Sequence, residues 1–240
     1  MGPGVTQRKQ AVTLRATTRG VRVVQEGHVV SEVVARPGPT HSLFDVLAAA
    51  VVTLARGPRL ALLGLGGGSV VAPLRALGWA GSIAAVDRSR EMVRVFRRIA
   101  APALGPVSAT VADAAAWLGR QQEEIDVVVE DLSVPVPGDL VMPEVCFDPL
   151  PHLIGRHLAP GGVAVVNAFS PGPQGWDRLL QRLRVPGTES LVVHLDEFDH
   201  RVLLLGEELP AAPQVGRRLR QLLHQLRSRQ ATRVRVRHLP

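Results

Sequence analysis

The 240-residue chain has one cysteine, Cys146, no tyrosine and a single lysine, Lys9. A lone thiol excludes an intrachain disulfide and a thiolate metal cluster, and it fits a reducing compartment. Five phenylalanines and three tryptophans are all the aromatics. They are too few for the stacking platform by which proteins hold single-stranded nucleic acid. No apolar run reaches the ~18 residues that a membrane-spanning helix needs. The most apolar stretch, Leu43 to Leu65, is broken by Asp45, Arg56, Gly57, Pro58 and Arg59. Met1 to Gln10 is polar and lacks the apolar core of a secretory leader. The expected location is therefore cytoplasmic. No G-x-S-x-G elbow is present, which argues against a serine hydrolase.

What the chain does have is positive charge, and its distribution matters more than its sum. The net charge is +7. Eight arginines and no acid fall between Gly216 and Pro240. Residues 1–36 add six cations against two acids, and residues 37–215 carry nineteen acids against fourteen cations. The body is acidic and the ends are basic. A basic chain often meets polyanions, but here that reading attaches only to the ends. Val215, Leu219, Leu222, Leu223 and Leu226 follow helical spacing, so the C-terminal helix is expected to dock with its arginines in solvent. Contact of the basic tail with nucleic acid or a membrane is the less favoured alternative.

The organisation along the chain is a loose tail (1–10), a small β segment (11–38), an α/β domain (39–209) and a basic helix and tail (210–240). Val12 to Ala35 is β-branched and punctuated by Gly20 and Glu26-Gly27, as short strands are. Arg36-Pro37-Gly38-Pro39 marks a boundary. Ser42 with Asp45 three residues on predicts a capping box opening a helix to Leu54. Strands at Leu60–Leu63, Ile83–Val86, Val107–Val111, Asp126–Glu130 and Val163–Asn167 then alternate with helices at Val70–Leu77, Arg90–Ala100, Ala114–Gln121, Pro149–His157 and Gly175–Leu183. Runs such as Leu60-Ala61-Leu62-Leu63 and Val127-Val128-Val129 are apolar throughout, as strands buried on both faces must be. Leu191–Leu195 and Val202–Leu205 are joined by a link too short for a crossover helix, so they pair antiparallel. The predicted fold class is α/β: a doubly wound, mostly parallel sheet with an antiparallel C-terminal hairpin, preceded by a short N-terminal β segment. That closing hairpin is the mark of the class I methyltransferase architecture.

Chemistry concentrates at the strand ends. Gly64-Leu65-Gly66-Gly67-Gly68 follows the first buried strand, where glycines let backbone approach a ligand. Asp87 ends the second strand, placed to accept hydrogen bonds from ribose hydroxyls. Asp113, with Ala114, follows the third, where it can meet an adenine edge. Each acid alone reads somewhat better as a helix cap. Together, at three successive strand ends, they define one crevice for a nucleoside. A dinucleotide fingerprint needs G-x-G-x-x-G, and the sixth position here is Ser69. Gly64, Gly66, Gly68, Asp87, Asp113 and Ala114 are thus candidate cofactor residues for S-adenosylmethionine or its decarboxylated form. His194, Asp196, Asp199 and His200 lack a convergent third ligand, so they read as a polar hairpin and no metal is expected. The Pro-containing stretch Asp139 to Asp148 is expected to be a loop covering an acceptor site.

Over residues 24–206 the chain resembles the spermidine synthase-like family of polyamine aminopropyltransferases. The resemblance is carried by Glu26-Gly27-His28-Val29-Val30-Ser31-Glu32, Ser42-Leu43-Phe44-Asp45, the glycine turn, Val86-Asp87-Arg88-Ser89-Arg90-Glu91-Met92-Val93, Asp126 to Pro135 and Leu158-Ala159-Pro160-Gly161-Gly162-Val163. It implies that Asp131 is the catalytic acid, orienting or deprotonating an attacking amine; the family often forms a homodimer through its N-terminal strands, but this N-terminal segment is short and leaves oligomerisation open. The sequence also departs from that family. Gly67 stands where the family has the acid that holds the aminopropyl ammonium, and Val134 where a second amine-binding acid stands. Val30 replaces a glutamine, and the usual tyrosines are absent. A buried ammonium without a carboxylate is strongly disfavoured. The expectation is a transferase using S-adenosylmethionine or its decarboxylated form, moving a methyl or aminopropyl group to a small-molecule acceptor. The alternative is a non-catalytic nucleoside-binding module acting through its basic tail.

Overall fold

A computed structural model describes residues 12–18, 20–25, 28–137 and 139–239. The expected tail at 1–10 and the Glu26-Gly27 turn lie outside the described residues. Strands β1 (Val12–Ala16), β2 (Gly20–Gln25) and β3 (His28–Val34) form an antiparallel three-stranded sheet. Helix α1 (Leu43–Leu54) leads into the body. There follow β4 (Arg59–Leu63), α2 (Val71–Ala76), β5 (Ser82–Asp87) and α3 (Arg90–Val95). A π-helical turn at Phe96–Ala100 carries α3 on into α4 (Ala101–Leu104). Next come β6 (Ser108–Val111), α5 (Ala114–Leu118), β7 (Ile125–Glu130) and a small hairpin of β8 (Val134–Val136) and β9 (Asp139–Val141). The chain continues with α6 (Leu150–His157), β10 (Leu158–Phe169), α7 (Trp176–Arg182), β11 (Glu189–Leu195) and β12 (His200–Gly206). It closes with α8 (Ala212–Gln225) and β13 (Val234–His238). Among the described residues, no helix is long and apolar enough to cross a membrane.

The main sheet has the order β13-β11-β12-β10-β7-β4-β5-β6. Strands β10, β7, β4, β5 and β6 are parallel, and β12 runs antiparallel between β10 and β11. Alternate residues feed two cores. Leu60, Leu62, Val127, Val129, Val163 and Val165 join the core under α1 and α8. Ala61, Leu63, Val128, Ala164 and Val166 join the core under α5, α6 and α7. Period-two side chains on strands buried on both faces make this division automatic.

The elements differ from the sequence expectation in places. The helix after β5 runs from 90 to 104 rather than ending at Ala100. Strand β10 starts at Leu158, and the Pro160-Gly161-Gly162 segment is absorbed as a register break between Leu158 and Val163. The stretch after β7 is not plain loop, since it contains β9 and a 3-10 turn at Glu144–Cys146. The arginine-valine alternation at the C-terminus is strand β13, paired with β11 from Leu191↔His238 to Leu195↔Val234.

The capping box is also rewired. The Ser42 hydroxyl accepts from Phe44 N–H, but the Asp45 carboxylate does not return to the Ser42 amide. It is fully buried and accepts from Thr40 N–H and Oγ1 (both 2.7 Å), His41 N–H (2.9 Å) and, 183 residues away, Ser228 Oγ (2.6 Å). A buried carboxylate must find donors, and this one takes one from the link between α8 and β13. Arg233 and Arg235 pair with Glu197 and Asp196, while Arg217, Arg218 and Arg227 are exposed. Ser228→Ala should cost about 1–2 kcal/mol of unfolding free energy and Asp45→Ala about 3 kcal/mol or more. Denaturant titration measures both, and the double variant should be non-additive because the two groups share a bond.

Candidate nucleoside and acceptor site

The glycine turn leaves β4 at the centre of the sheet, and its crowding explains its composition. Gly64 has φ +91°, and a Cβ there would lie 2.3 Å from the Asp131 carbonyl oxygen. Gly68 has φ +92°, and its Cβ would lie 2.4 Å from the Phe96 ring. Gly67 has φ +90°, and its Cβ would meet Val33 Cγ2 at 2.7 Å and Ser31 Oγ at 3.1 Å. Gly64, Gly66 and Gly68 are expected from the sequence to admit a ligand; at 64 and 68, as at 67, the missing side chains make room for protein. Strand β3 is pinned over the turn by Ser69, whose hydroxyl meets Ser31 Oγ (2.7 Å), accepts from Glu32 N–H (3.1 Å) and donates to Glu32 O (3.2 Å).

The three acids stand along one edge. Strands β6, β5, β4 and β7 are neighbours, with Asp87 in register with Val111 and Leu63 in register with both Val86 and Glu130. Adjacent strands lie about 4.8 Å apart, so the strand ends form a single crevice. Asp87 accepts from Gly66 N–H at Oδ2 (2.8 Å) and Ser89 N–H at Oδ1 (2.7 Å). Burial pushes its pKa up, and these two bonds and Arg88 oppose the shift. Each oxygen keeps accepting capacity for a further donor. Beside it Val111 is 40% exposed, an apolar surface next to a carboxylate. Asp113 is exposed and caps α5 by accepting from Ala116 N–H (3.0 Å). Ala114 is buried against the core beneath.

Asp131 follows β7, its N–H bonded to Leu63 O (2.9 Å). Its Oδ1 accepts from Asn167 Nδ2 (2.7 Å), and the Asn167 Oδ1 faces His200 Nδ1 at 3.1 Å. Burial raises the Asp131 pKa to about 6, Asn167 opposes this, and the Asp87 charge adds to it. The two carboxylates therefore share one electrostatic environment. Val134, where the resembled family has an amine-binding acid, is the first residue of β8 and pairs with Val141.

Sequence reasoning missed four of these groups. Asn167 and His200 were read as a strand end and a polar hairpin. His194, read as part of the same polar hairpin, lies opposite Arg201. Among the described residues no cluster of three or more His, Cys, Asp or Glu is arranged to hold a metal. Glu130 was read only as a strand end and Cys146 only as a lone thiol, and their contact was missed. Glu130 is 2% exposed, accepts from Leu132 N–H (3.0 Å) and from Cys146 Sγ (3.3 Å), and burial lifts its pKa to about 8. Burial also pushes the Cys146 thiol up, which makes it a poor nucleophile. The available signal was an acid in register with the buried Val127–Val129 run.

A parallel sheet closed by a reversed strand, with a glycine turn and carboxylates at its central strand ends, is the fold of class I S-adenosylmethionine-dependent transferases, spermidine synthases included. The chain is similar to a probable spermidine synthase from Corynebacterium glutamicum (TM-score 0.70, 18% identity, 96% of this chain and 88% of that one). It is similar also to human methyltransferase-like protein 13 in complex with SAH (TM-score 0.59, 20% identity, 78% and 92%) and to spermidine synthase from Thermotoga maritima (TM-score 0.61, 14% identity, 85% and 72%). At these identities the likeness is one of fold. Neither a protein-family model nor a curated protein sequence matches the chain.

Asp87, Asp131 and Glu130 are all raised, and the large shifts of the last two make stability depend on pH. Asp131 goes from 3.8 to about 6 and Glu130 from 4.5 to about 8 on folding. With these two acids the folded state holds extra protons within those windows, so their contribution to stability falls as pH rises from about 4 to about 8. Glu130→Gln keeps an acceptor for Leu132 and Cys146 and should flatten the upper part of that fall. The gain at pH 8 over the wild type should be a few kcal/mol at most, built up at about 1.4 kcal/mol per pH unit, as read from denaturant midpoints across pH.

Proposed function

We propose that the chain is an S-adenosylmethionine-dependent transferase, and that it moves a methyl rather than an aminopropyl group to a small acceptor. The observation that carries the reading is the row of carboxylates at adjacent strand ends beneath the glycine turn. The donor set fits a nucleoside. Asp87 would take the ribose hydroxyls on its remaining lone pairs, with the exposed face of Val111 beside it for the base. Asp113 and Ala114 would hold the adenine edge, and Gly64, Gly66 and Gly68 would lie along the amino-acid end.

Preference for the intact cofactor rests on Gly67. An acid there would serve the ammonium of the decarboxylated form, but Val33 and Ser31 already occupy the space its Cβ would need. No carboxylate then repels the α-carboxylate of S-adenosylmethionine. When bound, the sulfonium nucleoside supplies an electrophilic carbon attached to a good leaving group. The protein's part is to fix the acceptor in line and keep its nucleophile free of a proton. Asp131, held by Asn167, would orient it, and positioning of this kind supplies most of the rate in a direct displacement.

Calorimetry tests this. S-adenosylmethionine should bind at least as tightly as its decarboxylated form. Asp87→Ala should lose about 1.5–3 kcal/mol of that affinity, the worth of hydrogen bonds to a charged group. Asp131→Asn should leave it within a few fold. Binding of neither nucleoside would sink the proposal. Gly67→Asp should lower thermal stability without gaining affinity for the decarboxylated form, because the side chain collides with β3.

The second reading is a nucleoside-binding module acting through its basic end. It has less to work with than the sequence implied, because α8 and β13 are built into the body. Contact of the exposed Arg217, Arg218 and Arg227 with a polyanion belongs to this second reading, and pairing of two copies through the N-terminal strands to the transferase reading.

A further inference from the structure

The geometry points to His200 as the base that takes the acceptor's proton, with Asn167 as the positioning residue that joins it to Asp131. The inference rests on the transferase reading and deepens it. It divides the acid's expected work: Asp131 orients, and His200 deprotonates.

The Asn167 amide joins the two groups. An ionised carboxylate can only accept hydrogen bonds. The Asn167 group facing Asp131 Oδ1 at 2.7 Å must therefore be Nδ2. That fixes the amide orientation, so the group facing His200 Nδ1 at 3.1 Å is the carbonyl oxygen. An amide oxygen can only accept, so Nδ1 carries the proton and the neutral imidazole has its lone pair on Nε2. Asn167 is 1% exposed, and its two bonds connect Asp131 just after β7, Asn167 itself in β10 and His200 at the start of β12. The ring is seated against Phe169, with centroids 4.5 Å apart. Nε2 has no hydrogen-bond partner among the described residues, yet it is not among the polar atoms sealed from solvent.

The environment suits a base. Burial keeps the imidazole neutral, while Asp199 on the adjoining turn and Asp139 in β9 favour its cation. Asp131 faces it through Asn167, and the three carboxylates together compensate an imidazolium once it forms. An acceptor X–H would give its proton to Nε2. The X lone pair would form the new bond to carbon, and the carbon–sulfur bond would break with its electron pair remaining on sulfur. This selects acceptors whose nucleophile must lose a proton, a hydroxyl or an amine N–H, over those that need no base.

The test is a long-range proton–nitrogen correlation spectrum of the full chain, labelled with 15N-histidine, at pH 7.5. The chain has eight histidines, and His200→Gln identifies the signal. His200 should appear as the Nδ1–H tautomer, the minor form of a free imidazole. It should revert to Nε2–H in Asn167→Ala. Saturating S-adenosylhomocysteine should shift the Nε2 resonance. It should also slow carbethoxylation of His200 by diethyl pyrocarbonate, about tenfold at ten times Kd. An Nε2–H tautomer in the wild type overturns the inference even if Asn167→Ala does not fold. An Nε2 signal and a carbethoxylation rate both unchanged by the nucleoside overturn it too. Calorimetry on the same sample separates the two ideas. A chain that binds nucleoside but shows Nε2–H loses its base and keeps the transferase reading. A chain that binds no nucleoside loses both.

Discussion

Steric crowding at the glycine turn is the constraint on which the rest of the site depends. Three parts of the chain press on five residues: β3 on Gly67, the segment after β7 on Gly64, and the π-helical turn after α3 on Gly68. Side chains at these positions would displace backbone at Gly64, the Phe96 ring at Gly68, and the Val33 and Ser31 side chains at Gly67. The turn is therefore a junction before it is a ligand cradle. It holds the N-terminal sheet against the body and sets where the strand ends, and hence Asp87 and Asp131, can lie. The same crowding removes the place where a polyamine-handling acid would stand, so the chain's most telling departure from the family it resembles has a packing cause.

Around that junction the carboxylates divide by environment. Asp113 is exposed and caps a helix. Asp87 is held by two backbone amides. Asp131 and Glu130 are adjacent in sequence but point to different partners, an amide on β10 and a thiol beyond β9. Desolvation raises both, more strongly for Glu130, which is at the end of a strand buried on both faces. Burial of ionisable groups costs stability unless they are paired. Concentrating that cost at strand ends is common where chemistry is done.

The charge asymmetry resolves differently from its appearance in the sequence. The last residues look like an arginine-rich appendage. In the fold, the apolar side of α8 covers α1, Val234 is buried, and Ser228 and Gln230 are tied to Asp45, His41 and Glu197. Two of the arginines meet acids of the β11–β12 turn. Strand β13 also covers the outer edge of β11, which would otherwise expose unpaired backbone groups.

The sequence by itself determined the order of strands and helices, the glycine turn and the placing of acids after strands. Apolar runs, turn residues and alternation are local properties, and β4 through β7 follow from them. It also indicated the antiparallel ending, because the link between β11 and β12 is too short to cross over. Only the tertiary structure decided which distant groups share those acids. Asn167 reaches Asp131 because β10 lies beside β7, and His200 reaches Asn167 because β12 is inserted between β10 and β11. Ser228 reaches Asp45 because α8 packs across α1. Such pairings depend on strand order and register, which set side-chain neighbours across the sheet and have no signature in any single stretch of chain.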